Sequence, residues 1–390
     1  MKYDFDAVIN RKNTNSLKYD FAAERGKPDG LLPMWVADMD FPAPVEVLED
    51  MGKIVERGVF GYTEVKDDYY EAVGGWFGER FGYSAGKNET VKTPGVVFAL
   101  AMAVRAFTKP GDGVIIHTPV YYPFFEVIRE NGAKTVENPL IYKDNEYLID
   151  FGDFEDKIKT ENVKLFLLCS PHNPVGRVWT GRELERLNEI CAKHGVVTVS
   201  DEIHCDFVWE GHKHVCFGTL NEDAVIATSP SKSFNLAGLQ TANIFIKNAG
   251  LRRAFKAEIG KSGYSQLNAL GLAACQSAYT KGGEWLERLK EYISGNIGAV
   301  REFLAKRLPK IKLVEPEGTY LLWLDFSEYG LSQARLDSLI VNEAKLWLDC
   351  GTMFGANGEG FQRINVACPK KTLNKALFRL EKAMGGAGRP

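Results

Sequence analysis

The chain has 390 residues, 45% of them apolar and 25% charged, a balance that excludes intrinsic disorder and supplies a core for two or three domains at roughly 100–200 residues each. Lys plus Arg number 48 against 51 Asp plus Glu, a net charge of −3 with no basic block, so electrostatic capture of nucleic acid or anionic lipid is not expected. Asp4 and Asp6 stand where a signal peptide needs an apolar run, and no apolar stretch is long enough to span a bilayer, which makes a cytoplasmic enzyme with reduced cysteines the expected class.

In chain order, residues 1–45 contain Pro28, Pro33, Pro42 and Pro44 and little periodicity, and read as an arm lying over the rest, packed on the smaller domain. Residues 46–282 alternate helical patterns with short apolar runs. The predicted strands are Val114 to His117, Val163 to Cys169, Val196 to Ser200, Val225 to Thr228 and Asn243 to Ile246. Unbroken apolar runs suit strands covered on both faces, and Gly181 to His194, with Leu184, Leu187, Ile190 and Cys191 at helical spacing, supplies a crossover helix. The expected fold is α/β, a mostly parallel seven-stranded sheet between helices. Residues 283–390 change pattern: a long helix to about Leu308, strands Ile311 to Val314 and Tyr320 to Asp325, a helix, a strand near Trp347 and a last helix from Thr372, read as a smaller α/β domain.

Several familiar motifs are absent. Gly260-Lys261-Ser262 lacks the earlier glycine of a P-loop and lies in a helical pattern, no G-x-G-x-x-G follows a strand, and there is no G-x-S-x-G. His212 and His214 have no third ligand at a supporting spacing and read as a solvated loop; no metal is expected.

Three segments at the ends of predicted buried strands carry chemistry: Cys169 to Gly176 with Asn173, Ser200 to His204 with Asp201, and Thr228 to Phe234 with Lys232. In open α/β sheets ligands bind at the carboxyl ends of strands, so these residues are expected to converge. An amine nucleophile, a buried carboxylate and an amide donor are what pyridoxal phosphate requires: a covalent anchor, a partner for the ring nitrogen and a donor to the ring oxygen. Backbone N–H groups of Val96 and Val97, after Thr93-Pro94-Gly95, face an anion at a helix start, Ser229 and Ser231 add hydroxyls, and Tyr121 offers a flat ring.

Asn173-Pro174-x-Gly176, Asp201-Glu202-Ile203-His204 and Ser229-x-Ser231-Lys232-x-Phe234-Asn235 together resemble the signature of fold-type I, class I/II aminotransferase-like enzymes dependent on pyridoxal phosphate. Met34-Trp35-Val36-Ala37-Asp38-Met39-Asp40-Phe41 resembles a segment of the MalY/PatB group, the cystathionine β-lyase and C–S lyase branch. The resemblance implies that Lys232 is the Schiff-base lysine, Asp201 the pyridinium partner and Tyr121 the stacking ring, these three being the expected catalytic groups. Asn173 is then the ring-oxygen donor, with His204 near the same oxygen. Arg363 clamps the substrate α-carboxylate, and Trp35, Ala37, Asp38 and Tyr62 complete the substrate side. Tyr62 also reaches the phosphate of a neighbouring subunit, implying a homodimer. Two positions depart from the general aminotransferase pattern: His204 stands for a tyrosine, and Gln240 for a phosphate-binding arginine, the latter favouring the lyase branch. The implied activity is β-elimination from an amino-acid thioether, L-cystathionine giving homocysteine, pyruvate and ammonia, or L-cysteine giving sulfide. The alternatives are an aminotransferase, which shares the early steps, and a regulatory protein that binds pyridoxal phosphate without depending on catalysis. Against the latter stand the intact Lys232, Asp201 and Arg363.

Overall fold

The computed structural model describes residues 2–385. Its larger sheet has seven strands: β1 (Thr90–Thr93), β2 (Gly113–Thr118), β3 (Lys134–Pro139), β4 (Val163–Cys169), β5 (Val197–Asp201), β6 (Val225–Thr228) and β7 (Ala242–Ile246), in the spatial order β1-β7-β6-β5-β4-β2-β3. Only β7 runs against its neighbours. The apolar runs are explained by burial on both faces. Along β4, Leu165, Leu167 and Cys169 join one core cluster and Phe166 and Leu168 the other, the alternation of a pleated strand. The helix Gly181–His194 packs Leu184, Leu187, Ile190 and Cys191 inward; a Thr180/Glu183 capping box starts it, and Gly195, at φ 67°, ends it.

A four-stranded antiparallel sheet follows, β8 (Lys312–Leu313), β9 (Leu321–Asp325), β10 (Asp349–Cys350) and β11 (Phe361–Asn365), ordered β8-β9-β11-β10. The helices Gly283–Arg307 and Lys370–Met384 pack on each other beside it. The chain's beginning joins this part: Leu32–Pro33 pairs in parallel with Leu346–Trp347, and the Trp35 ring stacks on Trp347 with centroids 4.5 Å apart.

Three strands escape the apolar pattern. β1 and β3 are sheet edges, where Lys92, Lys134 and Glu137 blunt an exposed ladder, so they do not read as apolar runs. β11 is Phe-Gln-Arg-Ile-Asn, whose three polar side chains are all buried. Smaller corrections concern ends: β5 runs on to Asp201, and the last helix begins at Lys370 rather than Thr372. No helix among the described residues is long and apolar enough to cross a membrane.

Candidate active site

Ends of β4, β5 and β6 meet the start of the helix Val96–Phe107 around a cavity of about 160 Å³. Ten of the fourteen residues singled out in the sequence line it: Ala37, Val96, Val97, Tyr121, Asn173, Asp201, His204, Ser229, Ser231 and Lys232, with Cys169 and Gln240 among the others.

Lys232 lies in a single helical turn, Pro230–Ser233, that is pinned at both ends. Ser229 Oγ accepts the Ser231 N–H at 3.1 Å and donates to the Thr241 carbonyl at 2.7 Å, while Ser233 Oγ donates to buried Asp206 at 2.5 Å. The Lys232 ammonium donates to the Ala37 carbonyl at 2.9 Å, and burial pulls this amine down to about 8. Ser229 thus shapes the lysine turn while also lining the cavity, its hydroxyl resting on the Thr241 carbonyl. Among the described residues the Ser231 hydroxyl has no such partner.

Asp201 closes β5. One carboxylate oxygen accepts the Ile203 N–H at 3.1 Å, and burial pushes the group up to about 7, against the pull of that N–H and of Lys232. No ion pair involves it among the described residues, although other buried carboxylates of this chain, Asp40 and Asp349, have cations. Its neighbour Glu202 does different work, accepting from Ser200 Oγ at 2.9 Å, the Phe217 N–H at 2.8 Å and His214 Nε2 at 2.8 Å. His214 is therefore a buried tether rather than part of a solvated loop, and no cluster able to hold a metal occurs among the described residues.

Asn173 accepts from Arg363 Nη1 at 2.9 Å through Oδ1, which leaves its amide nitrogen as the donor to the cavity. Its carbonyl accepts the Tyr121 N–H at 3.0 Å, fixing that ring at the cavity wall, where burial raises the phenol. Burial holds His204 well below its usual 6.5, hence neutral, edge-on to Tyr320 at 5.7 Å between centroids.

Four expected residues lie off this wall. Arg363, on β11 and 2% exposed, donates through Nη2 to the Trp35 carbonyl at 2.9 Å and pairs with Asp349, while its buried Nε has no partner. The Trp35 ring stacks on Trp347, and its indole N–H donates to the Lys18 carbonyl at 3.3 Å. The Asp38 carboxylate is held by Arg11 at 2.5 Å. Tyr62 is 98% exposed, in a surface hollow that shares Gln240 with the cavity.

Segment 34–41 is positioned through its backbone, by residues that sequence reading left without roles. Asn365 Nδ2 donates to the carbonyls of Val36 and Asp38 at 2.6 and 2.7 Å, Tyr320 Oη donates to that of Ala37 at 2.9 Å, and Asn235 exchanges hydrogen bonds with Met39. Arg363 and Asn365 stand two apart on β11 and so share a face, a spacing that is visible in the sequence once the strand is known.

The cavity suits pyridoxal phosphate. A helix start with free N–H groups at Val96 and Val97, joined by Ser231, suits a phosphate; an amine that burial keeps partly neutral suits an aldehyde; a buried carboxylate without a cation suits a protonated ring nitrogen. The last feature sets an expectation for the cofactor-free protein. Because folding raises the Asp201 pKa from 3.8 to about 7, the folded state binds more protons across that window, and its stability falls as pH rises through it. Cofactor-free Asp201→Asn should therefore melt a few degrees higher than wild type near pH 8, with the difference vanishing near pH 4 in a thermal-melt series, while losing affinity for the cofactor.

The family model for aminotransferase class I and II matches residues 36–380. This chain belongs to that family. It is similar to cystathionine beta-lyase PatB of Bacillus subtilis, 44% identical over 385 residues that span 98% of this chain and 100% of that protein. Among solved structures it resembles cystalysin from Treponema denticola, which contains a pyridoxal 5′-phosphate cofactor, with a TM-score of 0.95, 39% identity and coverage of 99% of this chain and 100% of that one. It also resembles the PLP-bound C–S lyase from Staphylococcus hominis, with a TM-score of 0.91, 35% identity and coverage of 98% and 99%.

Proposed function

We propose that this protein is a pyridoxal-phosphate-dependent carbon–sulfur β-lyase that converts L-cystathionine and water to homocysteine, pyruvate and ammonia, working in the cytoplasm as a homodimer. The observation that carries the reading is the convergence of Lys232, Asp201 and Asn173 on one cavity that Ala37 of segment 34–41 also lines. In this reading the chain divides into an arm (1–45), a cofactor-binding domain (46–282) and a smaller domain (283–390) that contributes Arg363.

Val96, Val97 and Ser231 would hold the phosphate, Asp201 the ring nitrogen, Asn173 and His204 the ring oxygen, and Tyr121 a face of the ring. When bound, pyridoxal phosphate supplies an electron sink for negative charge at the substrate Cα. Arg363 binds the α-carboxylate and orients the Cα–H bond toward Lys232. Lys232 Nζ takes that proton, which requires a neutral amine, and its lowered pKa of about 8 keeps a working fraction neutral near pH 7. As the Cβ–S bond breaks with its electron pair going to sulfur, the Lys232 ammonium returns a proton to the departing thiolate. The aminoacrylate left behind takes up water to give pyruvate and ammonia.

The deciding experiment incubates cofactor-loaded protein with L-cystathionine and no keto-acid acceptor. Repeated turnover to equal pyruvate and homocysteine is expected. No pyruvate, together with turnover of amino donors by 2-oxoglutarate, would replace this reading with an aminotransferase. The exposed Tyr62, beside the hollow that meets the cavity at Gln240, is assigned to the partner subunit's phosphate. Tyr62→Phe should weaken cofactor retention roughly ten-fold or more on dialysis, the loss of one hydrogen bond to a charged group; unchanged retention would remove Tyr62 from the site.

A further inference from the structure

The Ala37 carbonyl receives two donors at once, Lys232 Nζ and Tyr320 Oη, both at 2.9 Å. Its flanks are immobilised: Asn365 holds the carbonyls of Val36 and Asp38, and Arg363 that of Trp35. Tyr320 is fully buried just before β9, packed edge-on against Phe207 at 4.8 Å and His204 at 5.7 Å, so its hydroxyl has one place to go. A carbonyl that accepts a neutral hydroxyl has less electron density to offer an ammonium beside it, because the two donors polarise the same oxygen.

We propose that the Ala37 carbonyl is the docking point of the Lys232 side chain whenever its amine is not covalently engaged, and that Tyr320 is a positioning residue that aims this carbonyl and weakens its hold on the lysine proton. The inference rests on Lys232 being the reacting amine. It gives segment 34–41 a chemical purpose: the residue that matters there is Ala37, through its main chain.

The other groups acting on Lys232 are fixed independently. Burial lowers its pKa most; Asp38 on the arm and Asp201 on β5 raise it, and Arg363 on β11 lowers it, while His204, in the loop after β5, is neutral. Removing the Tyr320 hydroxyl leaves all of these in place and frees the carbonyl for the ammonium alone, so the lysine should hold its proton more tightly.

The test uses cofactor-free protein and pyridoxal phosphate as the probe. Its capture is followed by borohydride reduction and mass spectrometry of the peptide carrying Lys232, as a function of pH, in wild type, Tyr320→Phe and Lys232→Ala. For Tyr320→Phe we expect the midpoint of the capture-rate profile to move up by about half a pH unit, roughly a three-fold slower rate near pH 7. At about pH 10.5, where the amine is neutral in both proteins, the rates should coincide, which a merely loosened site would not allow. A Tyr320→Phe profile superimposed on wild type, displaced downward, or slowed equally at every pH overturns the inference. Capture of the probe by the whole Lys232→Ala protein, at another lysine, as fast as by wild type overturns instead the assignment of Lys232 on which it rests.

Discussion

Lys232→Ala is expected to lose at least about a thousand-fold in pyruvate formation from L-cystathionine, since in the proposed mechanism one side chain supplies both the covalent anchor and the proton transfer at Cα and sulfur. The loss should come without unfolding. In the cofactor-free protein burial lowers the Lys232 pKa from 10.5 to about 8, so the unfolded chain binds more protons between those values and stability rises with pH across that window. Below about pH 8 the folded state bears the full cost of a buried ammonium, which alanine removes. The cofactor-free variant should therefore melt no lower than wild type near pH 7, and its melting temperature should lack the wild-type rise between about pH 8 and 10.5. Thermal melts beside the pyruvate assay check both halves. Substantial pyruvate formation by a well-folded Lys232→Ala protein would refute the mechanism.

Much of this site is legible in the sequence because strand ends advertise it. β4 from Leu165 to Cys169 and β6 from Val225 to Ala227 are apolar runs that give way to Ser170 and to Thr228-Ser229, and β5 becomes polar at Ser200 and Asp201, so the polar residues that follow are placed at the mouth of a buried sheet before any contact is known. The geometry around segment 34–41 is not legible in this way. Its contacts run through main-chain carbonyls, and a carbonyl has no letter in the sequence; the Trp35 ring stacks on Trp347 while its oxygen accepts from Arg363, and neither contact can be read from residue type. Ser229 shows the same limit. Residue type suggests a hydroxyl for a phosphate, but its contact with the Thr241 carbonyl, which pins the lysine turn, is visible only in the structure. β11 hides because buried Gln362, Arg363 and Asn365 break the apolar pattern, each hydrogen-bonded to a partner distant in sequence.

Arg363 ties folding and binding together, and only a paired substitution separates them. It is buried with Asp349, and its guanidinium also ties Asn173 and the Trp35 carbonyl together. Burial raises the Asp349 pKa and Arg363 pulls it back, so Arg363→Ala strands a carboxylate in the interior, which costs about 3–5 kcal/mol. That destabilisation alone would obscure any effect on substrate. Pairing Arg363→Ala with Asp349→Leu removes both charges and should recover most of the stability, as replacement of buried ion pairs by apolar groups commonly does. Substrate affinity should not recover with it: the doubly substituted protein, folded and loaded with cofactor, is expected to show kcat/KM for L-cystathionine roughly ten- to a hundred-fold below wild type, the value of charge-assisted hydrogen bonds to the α-carboxylate. Denaturant melts of the single and double variants, set against their kinetics, read the two effects apart. If kcat/KM recovers with stability, Arg363 serves the fold and the α-carboxylate is held elsewhere; if it stays low in a stable protein, the unpartnered Nε and the shared Nη1 of Arg363 are the donors the substrate uses.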